Sequence, residues 1–230
     1  MEPPPKKSTS REFVERTVEG AAGMIPIAGN PLAVALAVAM GWTYTRRMTQ
    51  WMEDLAAAVT ELQERTDGLS FADLAEDDAF VDAVIAATRA AQATHVEEKL
   101  EALRNGVLNT LGPDAPTLDE QARFFRLIEQ FTPAHLRLLA FLNDPGAVFD
   151  AAGLPRPDLV SGGRADLIED GMPEFKDRRD WYDLLDRDLA AASLTNHGGL
   201  HAMQNGASLW RPATSDLGRR FLAFISEPTR

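Results

Sequence analysis

Cysteine is absent from the chain. Its absence excludes disulfides, a thiolate metal site and a cysteine nucleophile. It also fits a reducing compartment, so a cytoplasmic location is the expectation. An excess of basic residues is missing too: 23 Lys and Arg stand against 35 Asp and Glu, a net charge of −12. Residues 1–112 hold 10 against 17 (−7) and residues 113–230 hold 13 against 18 (−5). Neither half is the basic body that lives on a phosphate backbone, so nucleic acid is not the expected partner. No repeat is visible. No phosphate-binding loop is present, because Gly20 to Gly23 lacks the lysine that must follow. No glycine-flanked serine elbow is found, and Ser161, Gly162 and Gly163 read as a loop without a base. No catalytic constellation is complete, so no enzyme activity, cofactor or metal is expected.

What is there is an ordinary globular mixture, 45% hydrophobic and 25% charged, enough to bury a core. The 230 residues suit one large domain or two small ones. Residues 1–10, with three prolines and two lysines, read as a disordered tail rather than a signal peptide. Residues 11–23 read as a short helix. The stretch Met24 to Pro31 reads as a turn in which Asn30 caps a helix with Pro31 at its first position.

From Leu32 a long helix is predicted to about Arg65, ended by the turn residues Thr66 to Ser70. Helices are also predicted at 77–95, with Phe80, Val81, Val84, Ile85 and Thr88 as its apolar stripe, and at 94–110. Gly112 to Pro116 is the predicted domain boundary. Beyond it, Thr117 and Glu120 form a capping box, and Thr132 with Pro133 starts the next helix. Residues 145–177 read as irregular, with one short helix near 147–152. A helix from Arg178 to Ala192 should place Trp181, Tyr182, Leu184, Leu185 and Leu189 inward. Asn205 and Gly206 are the strongest short hairpin signal in the chain. A last helix covers Thr214 to Ile225.

The predicted fold class is therefore all-α with a small β-hairpin: a helical bundle over 11–112, then a winged-helix-like domain over 117–230. Residues Arg126 to Leu142, with Phe131-Thr-Pro133 opening a helix, and Ser215-Asp-Leu-Gly218 opening a late one, carry a resemblance. Over roughly residues 75–225 the chain resembles the Abi-alpha group of bacterial abortive-infection proteins, which have an "LSP…LL" helix pair and an "LTPLG..F" helix start. It departs from that pattern at residues 20–50 and 145–177. The resemblance implies a role in conflict with phages or plasmids and supplies no mechanism.

Several clusters invite chemistry. Asp180, Asp183 and Asp186 recur at three on one helix and could hold a cation or do acid–base work. Mixed with Arg178, Arg179 and Arg187, they read more simply as a solvated face. His197 and His201 have a helical metal-ligand spacing, but Gly198 and Gly199 lie between them and no Glu accompanies them. His95 and His135 stand near helix starts and read as structural. The candidate recognition helix holds three arginines against four aspartates, unsuited to phosphates.

The most unusual stretch is Gly20 to Thr45, 26 residues without a charge, followed at once by Arg46 and Arg47. The Pro26–Pro31 turn splits it and leaves Leu32 to Tyr44 as one uncharged helical piece, too short to span a membrane alone. Its plain reading is a buried helix or an oligomer seam. Its functional reading is an apolar helix pair that enters or lies on a membrane when released, with Trp42, Tyr44, Trp51, Arg46 and Arg47 at the interface. The candidate contact residues are Leu32, Leu36, Val38, Met40, Trp42, Tyr44, Arg46 and Arg47. The expected function is a non-enzymatic interaction protein of bacterial defence, cytoplasmic and membrane-associated when activated. Its expected partner is a protein or a second copy. The alternative is a nucleic-acid-associated regulator using the winged helix.

Overall fold

The structure, a computed structural model, describes residues 31–66 and 70–228, and their side chains except those of 31–35, 37 and 71. The predicted tail, the predicted helix at 11–23, most of the Met24–Pro31 turn with its Asn30 cap, and the Leu32 side chain lie outside the described residues. So do positions 67–69 of the predicted turn after Arg65. The described chain is mostly helical: α1 (Pro31–Arg65), α2 (Phe71–Glu76), α3 (Asp78–Gln92), α4 (Glu97–Asn109), α5 (Leu118–Gln130), α6 (Pro133–Asn143), α7 (Pro145–Ala151), β1 (Ser161–Gly162), α8 (Arg164–Gly171), a 3-10 turn (Pro173–Phe175), α9 (Arg179–Ala191), β2 (Gln204–Asn205), α10 (Gly206–Leu209) and α11 (Asp216–Ile225).

The chain divides into two compact units, Met1–Glu53 and Asp54–Arg230. The predicted boundary at Gly112–Pro116 lies inside the second. There α3 and α4 pack on α5, and α4 packs on α11. The turn stops a helix without parting two bodies, because the apolar faces on its two sides need each other. Asn105 and Asn109 tighten this contact by donating to the carbonyls of Ile225 and Phe224.

Local signals explain most helix starts. Asp77 accepts from the backbone of Ala79 and Phe80 and opens α3. Thr117 and Glu120 make the expected reciprocal cap of α5. Ser215 accepts from the backbone N–H of Gly218 at 2.9 Å and opens α11. Gly218 is demanded by space: a Cβ there would lie 2.0 Å from the Leu194 carbonyl oxygen. The core of the second unit is a group of rings, Phe124, Phe125, Phe131, Phe221 and Phe224, with neighbouring centroids 5.2–6.4 Å apart. These are ordinary separations for tilted and edge-on aromatic pairs.

Several expectations are corrected. The sheet is two-stranded and antiparallel, but β2 pairs with β1, far upstream, in the register Ser161↔Asn205 and Gly162↔Gln204. Asn205 and Gly206 therefore make no local hairpin. Asn205 caps α10 through Ser208, and Gly206 answers a close approach, since a Cβ would fall 1.6 Å from the Leu159 carbonyl oxygen. Glycine was needed for room, and the hairpin rule reads it as a turn residue.

The stretch 145–177 is not irregular. It holds α7, β1 and α8, and buries Phe149, Leu167, Ile168 and Phe175. Its elements are too short to show a period. On α3 the buried line is Phe80, Ala83, Ala87 and Ala90, while Val81 and Ile85 are exposed. The small alanines permit a close helix contact that a search for large residues overlooks. Leu184 of α9, expected inward, is exposed.

Candidate interaction surface and a histidine–aspartate array

The uncharged stretch is helical where it is described, as predicted, but it is not a buried core helix. Every residue from Ala39 to Arg47 is exposed. Leu36 is 55% exposed, Met40 70%, Trp42 61% and Tyr44 48%. Val38 is half-buried, and Arg46 and Arg47 are exposed without a hydrogen bond or ion pair among the described interactions. Nine consecutive exposed residues make two and a half turns, so exposure here is not confined to one face. Further along α1 the pattern changes: Trp51, expected at a membrane interface, is buried instead, and beyond Glu53 so are Leu55 and Val59.

The large residues follow a rule visible in the sequence once the helix is known. Large and small side chains alternate from Val38 to Thr45 as Val, Ala, Met, Gly, Trp, Thr, Tyr, Thr. Two steps along a helix turn through about 200°. The alternation therefore sorts the large residues onto two opposite lines at spacing four. One is Leu36, Met40 and Tyr44; the other is Val38 and Trp42, continued by Arg46, each line drifting by about 40° per step. Alternation of this kind signals a strand in ordinary sequence reading. On a helix it removes the single apolar stripe.

A second constellation lies on α9. Asp183 Oδ1 is 2.7 Å from His201 Nε2, Asp186 Oδ1 is 2.9 Å from His197 Nε2, and Asp188 Oδ2 is 3.3 Å from His135 Nε2. Three of the four histidines in the chain thus meet one helix. The expectation of a solvated mixed-charge face holds for Asp180 and Arg187, which are exposed. It fails for Asp186, whose side chain is 13% exposed and whose His197 partner is 6% exposed. The available signal was the match between Asp183/Asp186, three apart on the helix, and His197/His201, four apart on the facing loop.

The tautomers follow from the second ring nitrogens. Gly199 donates its N–H to His197 Nδ1 at 3.0 Å, and Thr132 donates its N–H to His135 Nδ1 at 3.1 Å. Each Nδ1 is an acceptor, so each Nε2 carries the proton given to aspartate. Burial holds the His135 imidazole below its ordinary pKa, partly offset by Asp188. The same residue caps α6 from within, the structural role expected of it. The pairs do not merge into a metal centre: among the described residues, no three carboxylate or imidazole groups converge on one point. With both nitrogens of His197 committed, its imidazole has no free lone pair to offer a substrate.

The loop that brings in His197 and His201 is fastened at both ends. Thr195 bridges Thr214, and Ser215 Oγ donates to the Ser193 carbonyl at 2.7 Å. Arg164 was missed by sequence reasoning. It is buried, and donates to the carbonyls of Ser208, Leu209 and Arg211 at 3.2, 2.9 and 2.9 Å, gripping the end of α10. A cation suits the negative carbonyl end of a helix; burial lowers the pKa of this guanidinium. Nothing local in the sequence marks it, because its partners are carbonyls more than forty residues away.

Tyr182, buried as expected, donates its hydroxyl to Glu169 at 2.8 Å. A small cleft of about 250 Å³ is lined by Arg123, Leu127, Gln130, Asp188, Ala191 and Ala192; Arg123 is tethered there to the Ala192 carbonyl. No helix among the described residues is long and apolar enough to cross a membrane.

Searches of protein-family models, curated proteins and solved structures return no match to this chain.

Proposed function

We propose that this protein works by contact rather than by catalysis, with the exposed uncharged segment of α1 as its working surface. One observation carries the reading: Leu36, Met40, Trp42 and Tyr44 are all about half exposed or more on a helix without a charge from Pro31 to Thr45. Large exposed apolar patches mark interaction sites in soluble proteins. The polar groups of the second unit support the same reading, because three of its histidines, His135, His197 and His201, are engaged in holding loops and a helix start. A protein partner or a second copy is the favoured occupant, and a membrane the competing one.

The setting we propose is bacterial defence, on the resemblance of residues 75–225 to the Abi-alpha group. The test is a phage challenge of bacteria expressing the chain. Protection or growth arrest should depend on Met40 and Trp42, and Met40→Glu with Trp42→Glu should abolish it while circular dichroism and thermal unfolding stay unchanged. Full protection by that double variant would overturn the reading.

A second reading has one observation in its favour. The order β1, α8, α9 and a loop closed by the Thr195–Thr214 bridge is compatible with a winged helix, in which α9 would be the recognition helix. Against DNA stands the charge of α9, where Arg179 and Arg187 face Asp180, Asp183, Asp186 and Asp188. Gel shifts at about 150 mM salt, where nonspecific binding is already weak, should show no complex at micromolar protein. A sequence-specific shift would promote this reading over the first.

A further inference from the structure

His135 differs in its placement from the other two histidines that meet α9. It is the third residue of α6 and is buried. The Thr132 N–H and hydroxyl both reach its Nδ1, at 3.1 and 2.9 Å, and its Nε2–H reaches Asp188 at 3.3 Å. His197 receives its backbone N–H from within a loop, and His201 meets Asp183 with no backbone donor on its Nδ1 among the described interactions. Of the three, His135 alone stands at a helix N-terminus.

A proton on Nδ1 is unfavourable there for three separate reasons. It turns the acceptor of two Thr132 donors into a third donor. It places a cation at the positive end of the α6 dipole. It charges a buried ring that lies flat on Phe131, with centroids 4.8 Å apart and planes 14° apart.

The surrounding charges do not offset this. From α9 comes Asp188, a carboxylate 46% exposed that touches only the other nitrogen. From α4 comes Lys99, whose like charge disfavours the imidazolium and whose ammonium is held by the Glu129 carbonyl at 2.8 Å, with the Glu129 carboxylate facing it. On α11, which also packs on α6, Phe221 meets Phe131, while Arg219 pairs with Asp216 and Arg220 with Glu120. On α7, Asp144 caps the helix start and Asp150 pairs with Arg156. On α6 itself, Arg137 is held by Glu98 and Glu174.

The chain can admit the proton by opening one turn. Behind the cap, α6 is held by the fully buried Leu138, Leu139, Phe141 and Leu142, which need not move when His135 swings out. Opening a helix end costs less than unfolding a core.

We propose that the start of α6 is an acid-operated latch: one proton on His135 releases Thr132 to Leu136 from α9 while the rest of the second unit stays folded. Release uncovers the face of Phe131 that His135 covers, and frees Asp188, which lines the cleft beside Leu127 and Gln130. The latch is independent of the contact reading of α1.

The test is amide hydrogen exchange of the full chain between about pH 7.5 and about pH 5, a range that spans the ordinary imidazole value, with rates corrected for the pH dependence of exchange itself. Opening linked to one proton rises about tenfold for each pH unit over which the closed ring resists that proton. The amides of Thr132, His135 and Leu136, bonded to His135 Nδ1 or to the Thr132 carbonyl, should follow this slope. Those of Glu120 and Gly218, capped by the hydroxyls of Thr117 and Ser215, should not. His135→Gln keeps an acceptor at the third helical position and does not titrate, so its protection should be level across the range. His135→Ala, without an acceptor, should exchange fast at every pH. Wild-type protection of Thr132 to Leu136 that is level with pH, an equal loss in His135→Gln, or a loss shared by Glu120 and Gly218 would overturn the latch.

Discussion

The exposed part of α1 and the helix α9 invert the usual relation between charge and burial. The segment Ala39 to Thr45 has no charge and is exposed throughout. Helix α9 carries six charged residues in thirteen, yet buries Asp186 against His197. Polarity alone does not place a helix. A charged group can be buried where a partner satisfies it, and an uncharged segment can stay exposed, as Ala39 to Thr45 does. The first case adds specificity to the fold; the second leaves apolar surface available to something else.

Truncation of large side chains should separate the two regions most widely. Phe124→Ala removes a ring from the centre of the second unit and is expected to cost about 3–5 kcal/mol. Leu36→Ala, on the exposed part of α1, should stay within about 0.5 kcal/mol under conditions where the chain is dispersed. Urea unfolding of both variants measures the difference. A Leu36→Ala loss comparable with that of Phe124→Ala would mean that the segment is covered.

The next largest effect is expected at the buried pair of α9. Asp186→Ala leaves the His197 Nε2–H without an acceptor and should cost about 1–3 kcal/mol, the desolvation penalty of a buried donor. Asp186→Asn keeps a carbonyl oxygen in reach and should retain most of the stability. Equal losses in both variants would show that the negative charge, and not the acceptor, holds the loop. The cap of α5 should matter less: Thr117→Ala is expected to cost about 1 kcal/mol, read in the same unfolding experiment.

The smallest effect concerns acid. Because burial lowers the His135 pKa, the folded chain binds fewer protons than the unfolded one below the ordinary imidazole range. Stability should be full above about pH 6.5 and decline as the pH falls below it, until the folded imidazole is protonated as well. Protonation at Nδ1 also removes the acceptor of the Thr132 N–H. His135→Gln should therefore flatten the acid limb of the melting temperature between neutral and mildly acidic pH. An unchanged limb would show that this histidine does not set it.

Much of the helical layout was legible from residue types alone. Asp77, Thr117, Thr132 and Ser215 sit at or beside predicted starts and act there as caps, since a cap needs only its own neighbours three residues on. The reading of Asn205 and Gly206 was wrong because the same pair serves a turn in one context and a close backbone approach in another. The array on α9 was half legible: the aspartates and the histidines were both noticed, but their pairing crosses eleven to fifty-three residues. The candidate contact residues from Leu36 to Tyr44 follow from the missing charge, and Arg46 and Arg47 from their place beside it, but the sequence does not choose between a buried helix and an exposed one.

By itself, the sequence determined where the longer helices begin, that the chain is mostly α-helical, and that Pro31 to Thr45 carries no charge. These are local properties, set by propensity, capping and composition within one or two turns. Tertiary structure alone decided that Gly112–Pro116 lies within a compact unit, that β1 finds β2, that Arg164 grips α10, and that Ala39 to Thr45 is exposed. Each of these depends on which distant surfaces meet, and pairings between distant segments leave no periodic trace in the chain.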